Sequence, residues 1–61
     1  MKYTVEINYG GHVTQEVYKS KKAVDRRFYG WYVHGLDMSG QISSTFVARD
    51  DAGKIIIKDS F

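Results

Sequence analysis

The chain has 61 residues, nine Lys or Arg against seven Asp or Glu, 43% hydrophobic content, and neither Cys nor Pro. Disulfide frameworks, thiolate metal clusters and proline-rich recognition stalks are thereby excluded, and the apolar-to-charged balance argues against intrinsic disorder. The longest uninterrupted apolar runs, Ile55-Ile56-Ile57 among them, are far too short for a membrane span or a secretory h-region, which predicts a cytoplasmic protein with no membrane partner. A chain of this size is expected to form a single domain over residues 1–61. One core must then offset its conformational entropy, and the 15% aromatic content is the main supply of buried area.

From Lys2 to Tyr9 the residues alternate, with Tyr3, Val5 and Ile7 on one face and Lys2, Thr4, Glu6 and Asn8 on the other. That is the pattern of a half-buried strand. Gly10-Gly11 marks a turn, and His12 to Tyr18 reads as a second strand with Val13 and Val17 apolar. Matching the apolar faces favours a three-residue loop, Tyr9-Gly10-Gly11, which sets Ile7 opposite Val13 and Tyr3 opposite Val17. A two-residue Gly-Gly loop would set Ile7 opposite Thr14 and Val5 opposite Glu16, mixing the faces.

Ser20 reads as a helix N-cap. From Lys21 onward the helical period puts Val24, Phe28 and Trp31 on one face with Tyr32 at its flank, and Lys22, Arg26 and Tyr29 opposite. Gly35 followed by Leu36 has the form of a C-terminal stop. Gly30 falls mid-helix, where glycine costs about 1 kcal/mol against alanine. A helix ending at Tyr29, with Trp31 to His34 as a strand, is the alternative; the period and the caps favour the long helix.

Leu36 to Gly40 reads as a polar loop and Gln41 to Arg49 as a third strand, with Ile42, Phe46 and Ala48 inward beside Ser44. Asp50-Asp51-Ala52-Gly53 turns the chain into a fourth strand, Lys54 to Phe61. A four-residue loop there pairs Phe46 with Ile57, Ala48 with Ile55 and Ile42 with Phe61, and sets Val47 opposite Ile56 on the other face. The predicted architecture is α+β: a ββαββ domain in two layers, one amphipathic helix on a four-stranded, mostly antiparallel sheet. Strand order 2-1-3-4 would make the sheet wholly antiparallel, and the sequence pattern leaves that order open.

Residues able to carry catalysis are sparse. His12 and His34 lie far apart, and there is no cysteine nucleophile. His34 and Asp37 read as the end of a helix, where a cationic imidazole is stabilised by the dipole. Asp50-Asp51 lacks the spaced oxygen ligands of a calcium loop. Gly53-Lys54 resembles the end of a phosphate-binding loop, yet Ala48 stands where the first glycine is needed and Ile55 where Ser or Thr is needed. No catalytic residue, metal ligand or cofactor is expected, and the chain reads as non-enzymatic.

The basic residues are unevenly distributed. Lys19, Lys21, Lys22, Arg26 and Arg27 fall within nine positions that hold one acid, Asp25, while the remainder of the chain is net acidic. Lys21 and Lys22 sit in the first helical turn, where positive charge opposes the macrodipole, and Ala23 occupies the position a capping box gives to Glu or Gln. With Ser20 and Tyr29 these residues form an expected site for a phosphate or a carboxylate-rich partner. The bland reading is a solvated basic face that keeps the protein in solution.

A second expected surface is the sheet face away from the helix, with Tyr18, Val47 and Ile56, available to a partner protein or to a second copy in a homodimer. The expected function is a small binding or regulatory module, inhibitory in some settings, that acts on a protein with an acidic surface. The alternative is nucleic-acid binding through residues 19–27, with Tyr29 free to stack. The acidic Asp50-Asp51 turn and the lack of a ribonucleoprotein-type aromatic motif weigh against that alternative.

Overall fold

The computed structural model describes residues 1–37 and 43–61. In chain order the elements are β1 (Tyr3–Tyr9), β2 (His12–Tyr18), α1 (Lys21–Asp37), β3 (Ser44–Arg49) and β4 (Ile55–Ser60). The strands form one wholly antiparallel sheet in the order β2-β1-β3-β4, and α1 lies across β2, β1 and β3. This is the expected α+β arrangement of one helix on a four-stranded sheet. No described helix is long and apolar enough to cross a membrane.

The alternation of β1 appears directly in its burial, with Tyr3, Val5 and Ile7 buried beneath α1. The hairpin that follows differs from expectation. Gly10 and Gly11 have φ of 57° and 92°, the left-handed region that glycine enters without steric cost. Two consecutive positive φ values make the primed turn whose twist suits a two-residue hairpin. Tyr9 therefore pairs with His12, Ile7 with Thr14, Val5 with Glu16 and Tyr3 with Tyr18, in place of the Ile7–Val13 and Tyr3–Val17 register. The slip reverses the faces of β2. Val13 and Val17 stand 56% and 59% exposed on the open face of the sheet, while Thr14, Glu16 and Tyr18 turn toward the helix.

The helix begins as expected. The Ser20 Oγ accepts from the Ala23 N–H at 3.2 Å, and the Ser20 carbonyl accepts from the Val24 N–H at 3.3 Å. From there α1 runs unbroken through Gly30, so residues 31–34 are helical and not a strand. Gly35 does not stop the helix, which continues through Leu36 to Asp37, and its φ is not positive. Its role is close approach: a Cβ there would collide with the ring of Phe61. The rest of the expected Leu36–Gly40 loop, the start of a strand at Gln41 and the Ile42–Phe61 pair lie outside the described residues.

Ser44, Phe46 and Ala48 of β3 are buried. The turn to β4 is shorter than expected. The Asp50 N–H donates to the Lys54 carbonyl and the Gly53 N–H to the Asp50 carbonyl, both at 3.0 Å, with Gly53 at φ 80°. A three-residue loop ending in a left-handed glycine results. The Asp50 Oδ1 accepts from the N–H groups of Ala52 and Lys54, each at 2.9 Å, which is the turn-forming role expected of this aspartate. A bulge then shifts the ladder between Ala48 and Arg49. Ala48 consequently pairs with Ile57, Phe46 with Asp59 and Val47 with Lys58, which replaces the expected Ala48–Ile55, Phe46–Ile57 and Val47–Ile56 pairs. Ile56 and Ile57 are half-buried and pack against the core.

That core is largely aromatic. Phe46 meets Phe28 edge-on at 5.1 Å between centroids and Trp31 at 5.5 Å, and Trp31 meets Phe61 at 4.9 Å. Ser44 is the one buried polar side chain among the described residues, and its Oγ accepts from the Trp31 Nε1–H at 2.7 Å. The indole therefore buries its ring without leaving its only donor unpaired.

Candidate functional site

The five clustered cations separate into two groups. Lys21 Nζ contacts the Asp25 Oδ1 at 2.6 Å across one helical turn, and the Arg27 Nε–H donates to the Glu16 Oε1 at 2.9 Å. The first pair is exposed and the second half-buried, and solvent-accessible pairs contribute about 0–1 kcal/mol, so their importance lies in which charges they occupy. Lys19, Lys22 and Arg26 are exposed and make no ion pair among the described residues. Lys22, Arg26 and Tyr29 share the solvent face of α1 at helical spacing, and Tyr29 is 68% exposed. The Ser20 oxygen is engaged in capping, so within the expected site it serves the helix first.

Between α1 and β2 runs a groove that the sequence did not reveal. Tyr18, Ala23, Arg26, Arg27 and Gly30 line one end of it. Arg27 and Gly30 also line the next stretch, together with Thr14, Tyr9 and His34. Gly30 adds no side chain to the groove, and a Cβ built there meets nothing within 4 Å. On the other wall, the two-residue turn has brought Thr14, Glu16 and Tyr18 to the helix side, where apolar matching had placed Val13 and Val17. Near its far end the His34 Nε2 lies 3.3 Å from the Tyr9 hydroxyl, so this histidine pairs with β1 and not with Asp37.

Glu16 organises the inner wall. Its Oε1 accepts from the Tyr18 hydroxyl at 2.8 Å as well as from Arg27. Burial, and then this bond to a carboxylate, raise the Tyr18 phenol above its ordinary value of 10.0, with Arg27 acting in the opposite direction. The folded state thus holds the phenolic proton more tightly than the unfolded chain does. The contribution is intact below the unfolded value and is lost as pH rises through the alkaline range toward the folded value. Tyr18→Phe is therefore expected to flatten the alkaline fall in stability relative to the parent. Urea midpoints at neutral pH and above pH ~10 check this, and parallel falls in both proteins would refute it.

The expected sheet-face site is not assembled. Tyr18 lies on the helix side because of the hairpin register, and Ile56 is drawn toward the core by the bulge. Val47 alone of the three is on the open face, half-buried, with Glu6 and Lys58 as its cross-strand neighbours. The most exposed aliphatic groups of the sheet are instead Val13 and Val17, two strands away from Val47. Glu16 and Gly30 were the residues missed. The signal for Glu16 was the Gly-Gly pair, whose preference for a two-residue turn outweighs the matching of apolar faces.

The fold defines a two-layer α+β protein with a cationic helix beside an open groove. Comparison with family models, with curated proteins and with solved structures returned no match.

Proposed function

We propose that this chain is a non-enzymatic binding module that acts by occupying the acidic surface of a partner protein, using the cationic face of α1. The observation that carries the reading is the arrangement of Lys19, Lys22 and Arg26. They are exposed, without ion-pair partners among the described residues, and Arg26 lines a groove beside Gly30. Neighbouring cations in and before the first turns of a helix repel one another and oppose its dipole, so the arrangement disfavours the isolated fold. An anionic partner removes that cost. It also gains the steering that clustered charge provides on approach.

The test is a fluorescence-anisotropy titration of labelled polyglutamate, duplex DNA and single-stranded DNA at low and physiological salt. The parent is expected to bind polyglutamate, and Lys22→Glu/Arg26→Glu is expected to weaken that binding by at least about tenfold. Tighter binding of either oligonucleotide, with a steep loss on adding salt, would move the reading to nucleic acid. Failure to bind any of the three at low salt would overturn it.

A further inference from the structure

The two edges of the sheet are treated differently. An exposed strand edge templates pairing with another chain unless charges, proline, bulges or short length blunt it. At one edge, β4 carries the bulge at its start, with Lys58 and Asp59 along its length. At the other, β2 is seven residues long, pairs with β1 without interruption, and contains neither Lys nor Pro; its one carboxylate, Glu16, is neutralised by Arg27. In a hairpin closed by a two-residue turn the flanking pair, Tyr9 and His12, is hydrogen-bonded. The backbone N–H and C=O groups of Val13, Gln15 and Val17 then point to the free edge.

What flanks that edge specifies what fits it. On the helix side lie the groove and Arg26, with Lys22 one helical turn before Arg26 on α1. On the other side, Val13 and Val17 stand exposed on one face of the same strand. Gly30 supplies an independent pointer. Neither a positive φ nor an internal contact requires glycine there, yet glycine costs a helix interior about 1 kcal/mol. Its effect is to leave room beside β2.

We infer that β2 receives an extended segment of the partner as an added antiparallel or parallel strand, one whose residues alternate carboxylate with aliphatic. The carboxylates enter the groove toward Arg26 and Lys22, and the aliphatic residues cover Val13 and Val17. This rests on the binding reading above and assigns its chemistry and geometry. A second copy of the chain is the poorer occupant, because its β2 would bring to the groove a Glu16 already held by its own Arg27.

The probe is the blocked peptide Ac-EVEVEVE-NH2, with Ac-EEEEVVV-NH2 as a control of equal composition without the alternation. The alternating peptide is expected to bind more tightly and to slow hydrogen exchange at the amides of Val13, Gln15 and Val17 by at least about tenfold, leaving those of β4 unchanged. Gly30→Met is expected to remove this binding without loss of thermal stability, since its side chain enters open space, and Gly30→Ala to raise the melting temperature. Equal binding of both peptides without protection of β2 would overturn strand addition and leave a simple charge contact. Polyglutamate binding without binding of the alternating peptide would do the same, whereas loss of both removes the underlying reading. Protection of the same amides by self-association, seen by sedimentation without peptide, would identify a second copy and overturn the acidic-strand assignment.

Discussion

Phe46→Ala is expected to remove most of the stability of the fold. Phe46 has no solvent exposure, lies opposite Ile7 in the centre of the sheet, and meets both Phe28 and Trp31. Truncating a buried phenylalanine removes its transfer free energy and leaves a cavity, together about 3–5 kcal/mol. A domain of this size holds roughly 3–9 kcal/mol in total, so the substitution takes away much or all of the stability. Far-ultraviolet circular dichroism in a urea series measures it. A loss below about 1 kcal/mol would mean that the ring is not the centre of the core, and Phe46→Leu should be much milder.

Trp31→Phe is expected to cost more than the lost ring area implies. The indole N–H is the partner of the Ser44 hydroxyl, and that hydroxyl is buried. A phenylalanine leaves it without that partner in a buried site, at about 1–3 kcal/mol. The distinguishing measurement is the double variant. Ser44→Ala alone orphans the indole N–H, and Trp31→Phe alone orphans the hydroxyl, but the two together orphan neither. Chemical denaturation should show a double variant more stable than the sum of the singles predicts, by about 1 kcal/mol or more. Strict additivity would mean that the bond contributes nothing beyond packing.

Much of the fold was legible because its signals are strong and local. The alternation of β1, the Ser20 cap and the spacing of Val24, Phe28 and Trp31 each state a period or a hydrogen bond that the structure realises. The register of β2 was misread for a physical reason. Apolar matching assumes that every strand has a buried face, whereas β2 is an edge strand with no buried residue, and its helix side borders an open groove. With little burial at stake there, turn geometry decides, and two left-handed glycines make a two-residue loop. The β3–β4 register failed through the same neglect of turn chemistry, compounded by a bulge that periodicity does not signal.

The candidate site was legible in its charges and not in its shape. The run of cations from Lys19 to Arg27 is visible in the sequence, but its division into paired and unpaired members depends on Glu16, which lies across the groove on another element. Gly30 appeared as a cost to the helix, and only the surrounding space gives that cost a meaning. Gly35, in the same helix, appeared as a stop and is instead a seat for Phe61. Residue type alone does not separate these two roles, because both depend on what approaches the backbone from elsewhere in the chain.

The strand order has a kinetic consequence. The β1–β2 and β3–β4 ladders are hairpins, the kind of unit that closes in about 1–10 μs, and α1 is local by construction. Only the β1–β3 ladder joins residues far apart along the chain, with Ile7 meeting Phe46. Its formation therefore bears most of the loop-closure entropy of the sheet and is expected to set the pace of folding. Changes at that seam should alter how fast the protein forms, while changes in the outer hairpins should mainly alter how long it lasts.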